Sequence, residues 1–139
     1  MSPFGKSVAA VAVGSGAGGV LRLWAVVWAS ALFPASPLVG LVLVNVVGSF
    51  AIGLGATVLS EAGRFRVSPE IRLFFLAGVC GGLTTFSFFS LYSMLLLEDG
   101  RVGAAFVFGV STLGLSLLAV AAGWAGGIKW NRATRVLGA

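Results

Sequence analysis

Four apolar stretches, Ser7–Phe33, Pro37–Leu59, Ile71–Leu97 and Val102–Ile128, take up most of this chain. Each exceeds the roughly 20 residues that carry a helix across about 30 Å of hydrocarbon. Inside lipid the backbone must satisfy its own hydrogen bonds, so such runs predict helices rather than strands. Charged residues are only 9% of the 139, against 58% hydrophobic, where a soluble domain carries about a quarter charged. Nine basic and four acidic side chains cannot cover a water-facing surface of this size. The expected fold is an all-α integral membrane protein, one four-helix unit over 1–139.

Local punctuation supports these limits. Ser36-Pro37 and Ser68-Pro69-Glu70 each place a capping hydroxyl before a proline at the first helical position. Asp99-Gly100 signals a turn between the third and fourth runs, and Ser60–Arg72 is the only polar connection of any length. The first run has the flanks of a cleaved signal, with Lys6 before it and Ala29-Ser30-Ala31 near its end. A cleaved core spans about 7–15 residues, shorter than this run, and Arg22 interrupts it, so a membrane helix is expected. Gly14, Gly18, Gly48, Gly53, Gly55, Gly109 and Gly114 sit inside the runs, where small residues let helix backbones approach closely.

The residue inventory excludes most chemistry. Histidine is absent and Cys80 is alone, so neither a thiolate metal site nor an intramolecular disulfide can form. Glu61, Glu70, Glu98 and Asp99 all lie outside the apolar runs, and no acid pair or triad can be drawn. An enzyme is not expected. The net charge of +5 comes from basic residues at the ends of apolar runs, which fits membrane flanks and not a nucleic-acid surface. Gly14-Ser15-Gly16-Ala17-Gly18-Gly19 has dinucleotide-binding spacing, but the first acid after it is Glu61, far beyond the ~20 residues that motif requires. Gly5-Lys6-Ser7 lacks the earlier glycine of a phosphate loop.

Chemistry concentrates in the third run. Gly81-Gly82-Leu83-Thr84-Thr85 is a poor recipe for a continuous helix, because glycine is permissive and threonine is stiff and bonds to backbone carbonyls. A break there would free carbonyls at membrane depth, to be satisfied by a bound cation or, if the chain only kinks, by side chains. Phe86 and Phe89 are three apart and share a helix face. Polar Ser87 and Ser90 neighbour them, and the second run supplies Asn45, which must face the bundle interior or a water-filled path. Phe108, Thr112 and Ser116 recur every four residues; their hydroxyls either bond their own helix or form a polar track. Arg22 is the one charge inside a span, either functional or snorkelling to the interface.

The string Gly81-Gly82-Leu83-Thr84-Thr85-Phe86-Ser87-x-Phe89-Ser90 resembles the signature of the Fluc (CrcB) fluoride channels. So do Asn45-x-x-Gly48-Ser49-Phe50 and the glycine-rich Gly14–Arg22, in the same order along a chain of similar length. The resemblance implies an antiparallel dimer with two pores along the interface and a break in the third helix. It implies a structural Na+ held by the backbone carbonyls of Gly81 and Thr84, and a fluoride pore lined by Asn45, Phe86, Ser87, Phe89, Phe108, Thr112 and Ser116. Arg22 is then a vestibule or structural charge. Fluoride is strongly hydrated, so such a pore must replace water with N–H and O–H donors and the positive rims of phenyl rings. The implied activity is passive fluoride export from the cytoplasm across the plasma membrane.

Three positions depart from the family pattern. Leu41 stands where threonine is usual, Phe108 where tyrosine is common and Tyr92 where an acid is frequent. The basic residues also divide unevenly. Lys6, Arg64, Arg66, Arg72, Lys129, Arg132 and Arg135 fall on the side of both termini, and only Arg101 on the other, which predicts cytoplasmic termini. An antiparallel homodimer needs the chain to insert both ways, so this bias points instead to an oppositely oriented homologue as partner. A small cation or multidrug transporter would need a carboxylate within a span, and none is there. A non-conducting subunit would account for the glycines but not for Asn45, the glycine-threonine string and the phenylalanines together.

Overall fold

The computed structural model describes residues 2–34, 36, 38–60, 63 and 65–136. Four helical spans are long and apolar enough to cross a membrane. Helix α1 covers Pro3–Leu32 and α2 covers Leu38–Val58. The third span, Pro69–Glu98, is wound in pieces: α3 (Pro69–Leu73), a π-helical segment (Phe74–Cys80), α4 (Gly81–Leu83) and α5 (Ser87–Glu98). Helix α6 runs from Val102 to Val136.

Capping sets several of these limits. Ser68 Oγ accepts the Ile71 amide at 3.3 Å, ahead of Pro69 at the first helical position. The same device, Ser2 accepting the Gly5 amide ahead of Pro3, starts α1 four residues before the expected Ser7. Gly100 turns the chain between α5 and α6 with φ 71°, a conformation that costs glycine little. Pro37 of the second expected cap, like Arg64, lies outside the described residues. Helix α6 passes the expected end at Ile128 because Gly126 and Gly127 do not stop it: Gly127 lies against the Thr57 side chain, and Asn131 donates to the Thr57 carbonyl at 3.0 Å.

Two close helix pairings build the bundle. Helix α2 packs along α6, where Gly53 meets the Val120 carbonyl and Gly123 meets the Phe50 carbonyl. Helix α1 packs along the first half of the third span, where Gly14 meets Phe74 and Gly78, Gly18 meets Val79, and Gly82 meets Ser15. A side chain at any of these positions would strike backbone. At Gly48 and Gly55 the nearest neighbours are side chains, those of Thr84 and Leu76. Gly109 and Gly114, expected to serve packing in the same way, have nothing within 4 Å of a would-be Cβ. Large apolar side chains such as Trp24, Trp28, Phe106 and Leu117 point outward, as lipid-facing surfaces require.

Candidate functional site

Helical geometry stops at Leu83 and resumes at Ser87, with Thr84 in an extended conformation (φ −75°, ψ 156°). In a continuous helix the Thr85 amide would donate to the Gly81 carbonyl. Here it donates 2.8 Å to Asn45 Oδ1, while Asn45 Nδ2 donates to the Thr85 carbonyl at 3.3 Å. One asparagine side chain on α2 thus satisfies both sides of a residue that has left the helical ladder. Both partners are buried, Asn45 at 8% exposure and Thr85 at 7%. The Thr85 hydroxyl accepts the Phe88 amide at 3.2 Å, satisfying an otherwise open donor in the first turn of α5. Thr84 anchors the other flank, its amide and hydroxyl both donating to the Cys80 carbonyl at 3.0 Å.

Arg22 completes this framework. Its Nη1 donates to the Thr84 carbonyl at 3.3 Å, and its guanidinium carbon sits 5.8 Å from the centroid of the Phe88 ring. Arg22 therefore ties α1 to the non-helical interval and lies over an aromatic face.

Beside the interval lies a cavity of 320 Å³ lined by Asn45, Ser49, Gly81, Thr84, Thr85, Phe86, Phe89, Thr112 and Ser116, among others. It gathers seven of the ten residues singled out in the sequence. Phe86 and Phe89 pair with centroids 5.6 Å apart, and Phe89 leans on Phe108 at 5.5 Å, forming a row of three rings. Phe108 is buried behind Phe89 rather than on the cavity wall, and Ser87 is reached only through Thr85 Oγ1 at 3.2 Å. Arg22 is likewise off the wall.

The two hydroxyls of the α6 track differ. Thr112 donates 2.7 Å to the Phe108 carbonyl of its own helix, whereas the buried Ser116 hydroxyl has no partner among the described residues. Of the two N–H donors of Asn45, one is committed to Thr85. The remaining Asn45 N–H and the Ser116 O–H have no hydrogen-bond partner among the described residues, and both side chains line the cavity. Thr85 and Ser49 were not singled out from the sequence. The only available signal for Thr85 was its place beside Thr84 after two glycines, and its partner is forty residues away.

Residues 9–124 match the family described as CrcB-like protein, Camphor Resistance (CrcB). The chain belongs to that family. Curated CrcB relatives carry the name fluoride-specific ion channel FluC. One from Paramagnetospirillum magneticum is 50% identical, covering 81% of this chain and 88% of its own length. Another, from Rhizobium leguminosarum bv. trifolii, is 45% identical over 83% of this chain and 90% of its own. A third, FluC 3 of Brucella abortus, is 42% identical over 88% and 90%.

Leu41, Tyr92 and Phe108, the three positions singled out in the sequence for their residue types, come together in space. Leu41 and Phe108 are core members of one apolar cluster with Leu96 and Ala105, and Tyr92 packs against it alongside Phe89. The cluster backs the Phe89 ring with apolar packing.

The Gly81 carbonyl suits the cation that the family resemblance implies, since the amide that would cap it in a continuous helix has turned to Asn45. Thr84 offers a carbonyl already receiving Arg22, with its second lone pair still free. The residues fit a backbone-coordinated alkali ion, but two oxygens from one chain are too few to replace its hydration.

Proposed function

We propose that this chain forms half of a fluoride-selective channel, a passive path that exports fluoride from the cytoplasm. The observation that carries the reading is the cavity where an unspent amide N–H, an unpartnered serine hydroxyl and the Phe86–Phe89 pair converge. Donors of this kind replace the hydration of a small anion, and phenyl rims present the positive part of the ring quadrupole. The names of the CrcB relatives support it. The interval Thr84–Phe86 is then the functional break of the third helix.

The pathway is completed by a second subunit in antiparallel arrangement. Phe86 is 74% exposed although it lines the cavity, and the cavity needs another wall. Gly81 and Thr84 of both subunits would hold a structural Na+, which supplies fixed positive potential beside the anion path. Fluoride efflux from liposomes reconstituted with the purified protein tests the function: fluoride is expected to leave and chloride to remain. Equal passage of both, or of neither, overturns it.

Phe86→Ile is expected to keep the fold, since the ring is exposed, and to lower fluoride efflux about tenfold, the equivalent of ~1.4 kcal/mol of lost aromatic stabilisation. Unchanged efflux would remove Phe86 from the path. The bias of basic residues toward the end that holds both termini predicts cytoplasmic termini in a plasma membrane and an oppositely oriented homologue as partner. Tags at both termini, probed in intact cells, are expected to be inaccessible from outside; labelling of each terminus from both faces would instead give an antiparallel homodimer.

A further inference from the structure

A second cavity lies away from the anion site, at the end of the bundle where α2 stops and the third span begins. It has a volume of 860 Å³ and is lined at one end by Arg66 and Arg72 and along its wall by Leu73, Leu76 and Ala77. Both arginines are exposed, and neither has a hydrogen-bond or ion-pair partner among the described residues. The acid closest in sequence, Glu70, interacts with Ser68 and with the charge of Lys6 across on α1. Two guanidinium groups therefore line one groove with no ion-pair partner among the described residues. The rest of that groove runs along the third span, past Leu73, Leu76 and Ala77.

We propose that this groove is a binding site for an anionic phospholipid. The phosphate is bridged by Arg66 and Arg72, and an acyl chain runs along Leu73, Leu76 and Ala77. Arginine forks bind phosphate through paired N–H donors, and basic pockets between spans at a membrane surface select anionic headgroups. An apolar wall continuous with a cationic rim matches both ends of such a lipid, whereas a free phosphate would use the rim alone. The site is independent of fluoride conduction, because none of its residues lines the anion cavity.

The test is native mass spectrometry of the full-length protein with added phosphatidylglycerol or phosphatidylcholine. One phosphatidylglycerol per chain is expected to survive detergent removal, with phosphatidylcholine retained far less. The double variant R66Q/R72Q is expected to lower the retained phosphatidylglycerol by about tenfold, while R132Q, at another basic position of the same end, leaves it unchanged. Thermal unfolding of R66Q/R72Q in detergent without added lipid is expected to match the parent, showing that the loss is one of binding. Retention equal to the parent in that variant, or equal retention of both lipids, overturns the proposal. So does displacement of the lipid by millimolar inorganic phosphate, which would reassign the groove to the free ion.

Discussion

Asn45→Leu is expected to destabilise the protein by about 3 kcal/mol and to abolish fluoride efflux. Leucine is close in size, so the loss is of hydrogen bonds and not of volume. The Thr85 amide would lose its 2.8 Å bond to Oδ1 and the Thr85 carbonyl its 3.3 Å bond from Nδ2, at a residue only 7% exposed. Leaving a buried backbone donor or acceptor unpaired costs about 1–3 kcal/mol each. The amide could recover a partner only by closing the helix back onto Gly81, which would erase the extended turn at Thr84 and with it the cavity wall. Tryptophan-detected unfolding in detergent and efflux from liposomes measure the two effects separately. A variant that melts with the parent would show that Asn45 does not hold the interval. Asn45→Asp, which keeps the acceptor for the Thr85 amide but sets negative charge against an incoming anion, is expected to depress efflux as well.

The spans could be read from the sequence because their causes are local. Twenty or more apolar residues, a serine-proline cap at Ser68-Pro69 and a glycine turn at Gly100 each act within a few positions of the chain. The principal members of the cavity were legible for a related reason: an asparagine, two phenylalanines and a serine in an apolar setting are conspicuous by type. Their states were not. Thr112 and Ser116 look alike in sequence, yet one hydroxyl is spent on its own helix and the other has no partner among the described residues, a difference their residue types do not announce.

Other features depended on contacts distant along the chain. Thr85 matters through a residue on another helix, and Arg22 through a carbonyl 62 positions away. The π-helical winding of Phe74–Cys80 has no counterpart in residue pattern; its one visible correlate is the close approach of Gly14 to Phe74 and Gly78. Glycine spacing alone likewise did not separate Gly18, pressed on Val79, from Gly109, which touches nothing.

The adjacent glycines 81 and 82 convert that last distinction into an experiment. Gly82→Ala would drive a methyl group into the Ser15 carbonyl, with Ser15 Cα at 2.9 Å and its carbonyl carbon at 3.0 Å. These are backbone atoms of α1, which no rotamer change can move aside, so the helix and the third span must separate. Overpacking of a rigid contact costs about 1–3 kcal/mol, and here it falls on the seam that also carries Gly14, Gly18 and Gly78. Gly82→Ala is expected to give little folded protein and a lowered unfolding temperature. Gly81→Ala meets nothing within 4 Å and is expected to fold and melt like the parent. Gly81 lines the cavity, however, and under the proposed assembly a second subunit would fill the open space at its Cβ position, where a methyl group would crowd it. A folded Gly81→Ala protein is therefore expected to lose both cross-linkable dimer and fluoride efflux. Full efflux from that variant would place the junction elsewhere, because open space over Gly81 would then be space that no partner fills.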